Sequence, residues 1–389
     1  MSYLPAEDIS ARLTQIIVES IGVAGGWVGF DTFMAQALYT PGLGYYAHDS
    51  AKFGKLPFVV VAGEQLAGSD FVTAPEMTPL FGQTLAAQVA QALQMTHTNQ
   101  IWEFGAGSGA LALQVLDALA AQGQQVQRYC IVDLSGSLRV RQRETLARFA
   151  HVVEWVSELP ETLQGVVLGN EVLDAMPVKL LARVKGVWYE RGVVEALGSA
   201  LGKSVPERDN AFMWQDRPTD LRPPLEIDGE HDYLTEIHPQ GEAFIRTLGE
   251  RMARGAAFFI DYGFGESEYF HPQRHMGTLV CHRLHKVDDD PLADVGLKDI
   301  TAHVNFTGTA VAAQEAGFEV LGYTSQAHFL INCGLGPKLD ALAQGPRAMA
   351  TKLMMEHEMG ELFKVIGLAK GVEPWDAMGF VRGDRTHRL

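Results

Sequence analysis

Cysteine is scarce in this chain of 389 residues: Cys130, Cys281 and Cys333 stand far apart. So few and so separated, they exclude a disulfide framework and fit a reducing compartment. No apolar run reaches the length needed to cross a membrane. The opening stretch MSYLPAEDISARLTQIIVES lacks the apolar centre of a secretory signal and the Arg/Ser bias of a transit peptide, so a soluble, cytoplasmic protein is expected. Positive charge is also short, with 31 Lys and Arg against 47 Asp and Glu and a net charge of -16. Nucleic-acid phosphates would be repelled and a cationic partner favoured. Internal repeats, low-complexity segments and paired CxxC motifs are absent.

What is present is a chain that is 47% hydrophobic, enough for one large core or two. Residues 1–98 read as a mainly helical N-terminal or lid region with an irregular stretch at 39–79. Residues 99–389 read as the main domain. Strand candidates recur at 100–104, 129–132, 152–156, 166–168 and 257–260, with helical stretches between several of them. This is the rhythm of an α/β fold on a parallel sheet. Residues 181–240 break it with a hairpin pattern (VKGVWYERGVVEALG) and a Pro- and charge-rich run, and 263–300 is irregular too; both are read as insertions. Two closing strands, in FEVLGYTSQAHFLI and LFKVIGLAKG, are expected to bracket a helix over about 338–359.

The stretch IWEFGAGSGALALQVLDAL, from Ile101, joins a strand to a helix through Gly105, Ala106, Gly107, Ser108 and Gly109. Such a turn lets backbone N–H groups approach a nucleotide-like ligand, but does not choose it. With Ala110 it even satisfies the dinucleotide pattern G-x-G-x-x-G/A. Two acids narrow the choice. Asp133 ends the next strand, where a carboxylate can accept both hydroxyls of a ribose; the plainer alternative is a helix cap by Asp133 or Ser135. Glu103 precedes the first glycine by two residues, where a pyrophosphate would be repelled and a sulfonium or ammonium attracted. Its plainer role is to cap the turn's own amides.

The fourth strand leads into GNEVLDAMPV, with Asn170, Glu171 and Asp174 at the ligand edge. If a helix starts after Asn170, Glu171 and Asp174 share one face. Two convergent carboxylates suit a guanidinium, which keeps its proton and can be gripped in fork geometry. They equally suit the first turn of a helix, as acids near its N-terminus.

Eight blocks then follow in order: GYY at 44–46, DFVTAPEMTPLFG at 70–82, EFGAGSG, GNEVLDAMPV, EIHP at 236–239, FIDYGFGESEYFHPQR, GTLVCHRLHKVDDDP and DITAHVNF. Together they resemble the MidA family of class I S-adenosylmethionine-dependent methyltransferases, which includes the mitochondrial complex I assembly methyltransferase. The resemblance runs from about Gly44 to Phe306. It implies a Rossmann-like, seven-stranded methyltransferase sheet with an added N-terminal helical region and insertions over the active site. It also implies S-adenosyl-L-methionine as cofactor and, from the mitochondrial members, transfer to protein arginine. The segment between Tyr46 and Asp70 is longer than the family pattern; it is either a remodelled entrance or a plain surface hairpin.

On this reading Thr73, Glu103, Gly105, Gly107, Gly109, Asp133 and Asn170 bind the cofactor, with Thr73 also placed to cap a short helix. Glu171 and Asp174 are catalytic. Tyr46, His238, Asp261, Tyr262 and His303 shape the acceptor site. His282 and His285 with His303 invite a metal, yet nothing in methyl transfer to nitrogen needs one, and no metal is expected. The methionines of MATKLMMEHEMGELF are expected to face a core. The expected partner is a protein with an exposed arginine, without nucleic acid or membrane; the oligomeric state stays open, a homodimer included. A second class remains: an assembly chaperone that binds the cofactor and catalyses little. A nicotinamide oxidoreductase survives only through Ala110.

Overall fold

The computed structural model describes residues 5–47, 58–61, 64–67, 73–133, 136–196, 211–283 and 286–389. Its centre is a sheet of seven strands: β1 (Gln100–Phe104), β2 (Arg128–Val132), β3 (Val153–Val156), β4 (Leu163–Asn170), β5 (Met252–Phe264), β6 (Glu319–Ser325) and β7 (Phe363–Lys370). Their spatial order is β3-β2-β1-β4-β5-β7-β6. All neighbours from β3 to β5 are parallel, and β7 runs antiparallel to both β5 and β6. A two-residue strand, Val304–Asn305, adds to the end of β5.

Burial on both faces explains why the inner strands read as continuous apolar runs rather than as alternation. Side chains of adjacent residues go to opposite sides. Ile101, Phe258 and Ile260 enter one core cluster, and Trp102, Ala257 and Phe259 enter the other. The first face is covered by helices from both sides of the glycine turn, Leu80–Thr96 and Ala110–Ala121, which supply Leu85, Val89, Leu111 and Val115. The second is covered by Pro239–Arg251 and Phe306–Glu315. The strand order reverses between β1 and β4, so a crevice forms beyond their carboxyl ends, the ligand position of open α/β sheets.

The segment between β4 and β5 builds a second, antiparallel sheet from Lys179–Val184, Val187–Glu195, Phe212–Pro218 and Tyr233–Ile237. Val28–Gly29 joins its edge. Helices Ala6–Val23 and Phe30–Tyr39 pack there, sharing one core of Leu13, Ile17, Phe30, Phe33, Leu180 and Val193. The N-terminal helices and the inserted sheet therefore stabilise each other, a pairing that no local pattern in the sequence announces. Strands Val280–Arg283, Lys286–Asp288 and Asp299–Thr301 form a small three-stranded sheet, and strands Phe58–Val61 and Glu64–Ala67 pair antiparallel within the extra segment.

Three local expectations are corrected. The single helix over about 338–359 is broken into Leu335–Asp340, Gln344–Thr351 and a π-turn at Glu356–Gly360. Pro346 lacks the N–H of a helix interior and sits in a first turn, so the helix restarts there. Of the methionines in that stretch, Met354 and Met359 pack on the core while Met349 and Met355 are exposed. No helix starts after Asn170 either: residues 171–178 form a loop, and Glu171 has φ +54°.

Candidate active site

At the end of β1 the chain enters the glycine turn with positive φ at Gly105, Gly107 and Gly109 (62°, 53° and 85°). Other residues adopt that region at a cost, so the turn demands glycine and leaves its amides bare of side chains. At Gly105 a Cβ would also lie 3.2 Å from the Val172 side chain. Gln142, fully buried on the helix after β2, holds the turn: its Nε2 donates to Gly107 O at 2.9 Å and to Asp133 Oδ2 at 2.8 Å. Trp155 Nε1 in turn donates to Gln142 Oε1 at 2.8 Å. The expected Asp133 is thus fixed at the end of β2, tied to the glycine turn. Ser135, the alternative cap, lies outside the described residues, as does His285 of the histidine group.

Glu103 is buried, and its Oε2 accepts from Tyr129 Oη at 2.7 Å. It has the partner across the sheet, and not the turn's amides, as its hydrogen-bond donor. Burial pushes its carboxyl up to about 8, with the Asp133 charge adding to the rise. Thr73 stands at the N-cap position of Ala74–Met77, but its side chain makes no capping bond. Other contacts hold that turn: Ser108 Oγ donates to Glu76, and Gln114 Nε2 donates to Pro75 O at 2.7 Å.

The loop after β4 is held from behind by Asp261. Its Oδ2 accepts from the backbone N–H of Val172, Leu173 and Asp174 at 3.1, 2.9 and 3.3 Å, and its Oδ1 from that of Tyr262 at 3.0 Å. Expected to meet the acceptor, Asp261 is instead occupied on both oxygens by backbone; its role is to shape the acid loop. Glu171 N donates to Ile260 O, Ala302 N to Asp174 O, and Tyr39 Oη to Ala175 O. The two acids therefore converge through a pinned loop rather than through helical spacing, which removes both the shared helix face and the helix-cap alternative.

Around this loop the carboxylates accumulate. Asn170 Nδ2 donates to Glu171 Oε1 at 2.9 Å, and the Tyr262 hydroxyl lies close enough to Asp174 to favour its ionised form. Tyr46 Oη reaches both oxygens of Asp299, at 2.8 and 2.9 Å. Burial, then the Asp174 charge, pushes Glu171 up to about 8, with Asp299 contributing; burial pushes Asp174 up to about 6. Among the described residues Asn170 Oδ1, Asp174 Oδ1 and His303 Nδ1 are buried without a hydrogen-bond partner. Unmet acceptors beside crowded acids fit a ligand that brings positive charge and donors. Asp299, on the strand Asp299–Thr301, was missed in the sequence; its only signal was membership of the DITAHVNF block. Gln142 carried no signal at all.

The remaining expected residues flank this centre. His303 stacks on Phe264 (5.3 Å between centroids, 9° between planes) and meets the Tyr262 ring edge-on at 5.0 Å. His238 Nε2 lies 3.0 Å from Tyr269 Oη, in a buried network with Glu236 and Thr278. Burial lowers both imidazoles to about 4, so both stay neutral near pH 7. His238 and His303 are linked through Tyr269 and Thr278, whose Oγ1 accepts from the His303 backbone N–H at 3.1 Å. His282 stands on the small sheet, and no cluster of three metal-ligating groups forms among the described residues.

The sheet order, the glycine turn and the anionic crevice together define a class I S-adenosylmethionine-dependent methyltransferase. Carboxyl groups at the crevice (Glu103, Asp133, Glu171) offer a pyrophosphate no cation, and the protons that Glu103 and Glu171 hold in the empty site can be released when a cationic sulfonium or ammonium enters. A family model described as "Putative S-adenosyl-L-methionine-dependent methyltransferase" matches residues 84–324, and the chain belongs to that family. A solved structure from Burkholderia thailandensis, bound to S-adenosyl-homocysteine, is 45% identical over the full length of both chains with a TM-score of 0.89. A native structure from the same organism is 43% identical over both full chains, with a TM-score of 0.86. Among curated proteins, the chain is 25% identical to "Protein arginine methyltransferase NDUFAF7, mitochondrial" of Xenopus tropicalis, over 87% of this chain and 81% of that protein. It is 24% identical to the Caenorhabditis elegans homolog, over 86% and 79%.

These relatives correct one expectation. Eight curated relatives are named as mitochondrial, so the cytoplasmic placement does not stand. Scarce cysteine does not separate one reducing compartment from another.

The raised acids make a pH prediction. Glu171 and Asp174 hold protons in the folded chain at pH values where an unfolded chain has released them. Their stabilising contribution is complete below about pH 4 and is lost as pH rises toward about 8. The urea midpoint of the ligand-free protein should therefore fall between pH 5.5 and 8, and Glu171→Gln should flatten that slope. A midpoint that rises over the window, or a slope unchanged by the substitution, contradicts the assignment.

Proposed function

We propose that this methyltransferase acts on an arginine side chain of a partner protein. The observation that carries the reading is the meeting of half-buried Glu171 with buried Asp174 and Asp299, with Asp174 Oδ1 unpaired. A guanidinium supplies five N–H donors in a planar fork and a charge spread over three nitrogens. Carboxylates on two sides localise that charge and orient one nitrogen. The names of the curated relatives support the same acceptor.

In this reading Gly105, Gly107 and Gly109 cradle the amino-acid portion of S-adenosylmethionine, Asp133 takes the ribose and Thr73 closes over the methionine end. Glu103 adds negative potential, and Asn170 orients Glu171. Glu171 and Asp174 grip the guanidinium. Tyr46 aims Asp299 at it, while Tyr262 and His303 form the wall. S-adenosylmethionine held there would supply an electrophilic methyl at its sulfonium, to be taken by the guanidinium nitrogen, which would give up one proton. Glu171, whose proton affinity is already raised, receives that proton at a carboxylate oxygen. Catalysis comes chiefly from alignment and from placing charge. Residues 1–98 would serve as the lid region, through Tyr39, Tyr46 and the Thr73 turn.

Transfer of labelled methyl groups to lysate proteins, followed by mass spectrometry of the labelled residue, tests the reading. Methylarginine is the expected product. Label on another residue type removes the arginine assignment, and cofactor binding without any incorporation leaves the assembly chaperone. Tyr46→Phe should raise KM for the acceptor several-fold with little change in cofactor affinity, because Asp299 loses the hydroxyl that reaches both its oxygens. An unchanged KM removes Asp299 from the pocket.

A further inference from the structure

Beyond the acid pocket, at the end of β5, lies a cavity of about 570 Å³ whose lining includes Glu268, His271, Tyr323, Lys364, Arg385 and Arg388. Unlike the acid loop, its lining carries three cations, Lys364, Arg385 and Arg388, beside Glu268 and the chain's last residue, Leu389. Lys364 is 4% exposed, and its register partner on β5 is Asp261, the residue that shapes the acid loop. Its Nζ donates to the Glu361 carbonyl and stays 3.7 Å from the Glu361 carboxylate. That carboxylate is already engaged by both terminal nitrogens of Arg385. One acid thus serves two cations. Burial holds the Lys364 ammonium below its usual range in spite of Glu361. Glu268, the acid of the lining, pairs with Arg274 at 3.5 Å. Arg388 is exposed and forms no side-chain ion pair among the described residues.

Phe264 connects the two regions. Arg274 lies 3.8 Å and Lys364 5.7 Å from that ring's centroid, and His303 stacks on the same ring. His303 meets Tyr262, whose hydroxyl lies close to Asp174. A chain that delivers an arginine to Glu171 and Asp174 would lay its neighbouring residues over this connection, at about 3.3 Å per extended residue. On a protein of net charge -16, an acidic segment is repelled elsewhere.

We propose that this cavity binds an Asp or Glu side chain of the acceptor protein, within a few residues of the methylated arginine. The cavity then selects the acceptor by charge pattern: a cation into the acid pocket, an anion beside it. The inference rests on the arginine reading above for the identity of the acceptor, but the binding of a carboxylate can be measured without it.

Two fluorescent hexapeptides that lack arginine, one rich in Glu and its Gln counterpart, serve as probes in anisotropy titrations at low salt. The Glu peptide should bind at least tenfold more tightly than the Gln peptide. Arg388→Glu should abolish that preference while S-adenosylmethionine affinity stays at the wild-type value, and Lys364→Met should reduce the preference. Equal binding of the two peptides by the wild-type chain overturns the proposal. So does a preference that survives both substitutions. In a parallel methylation assay, Glu-flanked arginine peptides should show a lower KM than Gln-flanked ones. Efficient methylation without flank preference overturns the cavity's role and leaves the arginine reading intact. Glu-peptide binding with no arginine methylation overturns the arginine reading and keeps the anion site.

Discussion

Glu171→Gln is expected to lower turnover by about tenfold to a thousandfold, a loss of roughly 1.4 to 4 kcal/mol of transition-state stabilisation. The fold and the affinity for S-adenosylmethionine should survive. Gln keeps the size of the side chain and an oxygen for Asn170 Nδ2, now 2.9 Å from Glu171 Oε1. On the arginine reading, it loses the carboxylate that would oppose a guanidinium and receive the proton. Gln cannot ionise beside Asp174, so the protein should melt no earlier than wild type and should gain most above neutral pH. Asp174→Asn should act in the same direction. The double substitution should cost less than the two losses added, because residues that grip one group act as a unit. Single-turnover rates with labelled cofactor, beside calorimetric cofactor titrations, separate chemistry from binding. A fully active Glu171→Gln enzyme would end the role assigned to this acid.

Asp261→Ala should be the most damaging change to stability. It removes the acceptor for four backbone N–H groups, those of Val172, Leu173, Asp174 and Tyr262. A buried donor without a partner costs about 1–3 kcal/mol, and loss of one carboxylate near Asp174 and Glu171 returns part of that. The net expectation is a destabilisation of about 3–5 kcal/mol, in the exceptional range for one substitution. Asp261→Asn keeps one oxygen acceptor and should lose less than half as much. Because the acid loop rests on this side chain, activity per folded molecule should fall in both variants, unlike the effect of a remote core change. Chemical denaturation at fixed pH measures the first effect and titrated active sites the second. An Asp261→Ala protein as stable as wild type contradicts the assignment.

Legibility in the sequence followed the range of the interaction. The run at β1 matched its strand from Gln100 to Phe104, because a short apolar segment ending in glycines has few alternative folds. The glycine turn was equally plain, since positive φ at three alternate positions demands one residue type. Glu171 and Asp174 were found as residues, but their geometry was misjudged. Spacing of three suggested a helix face, whereas the loop conformation is imposed by Asp261, nearly ninety residues later. Tyr46 and Asp299 show the same limit: 253 residues separate two side chains that share a hydrogen bond.

By itself the sequence determined the class of fold, the glycine-lined crevice and the anionic character of its lining. Each follows from local periodicity, from backbone constraints on single residues, or from a charge that needs no partner to be counted. Only the tertiary structure decided which acids meet and which support others. It took both oxygens of Asp261 for backbone, tied Gln142 to two loops, and brought Asp299 beside Glu171. It also joined the N-terminal helices to the inserted sheet and connected a basic cavity to the acid loop through Phe264. Those outcomes depend on packing between segments far apart in the chain. Hydrogen bonds and desolvation there act through distances that no sequence window contains.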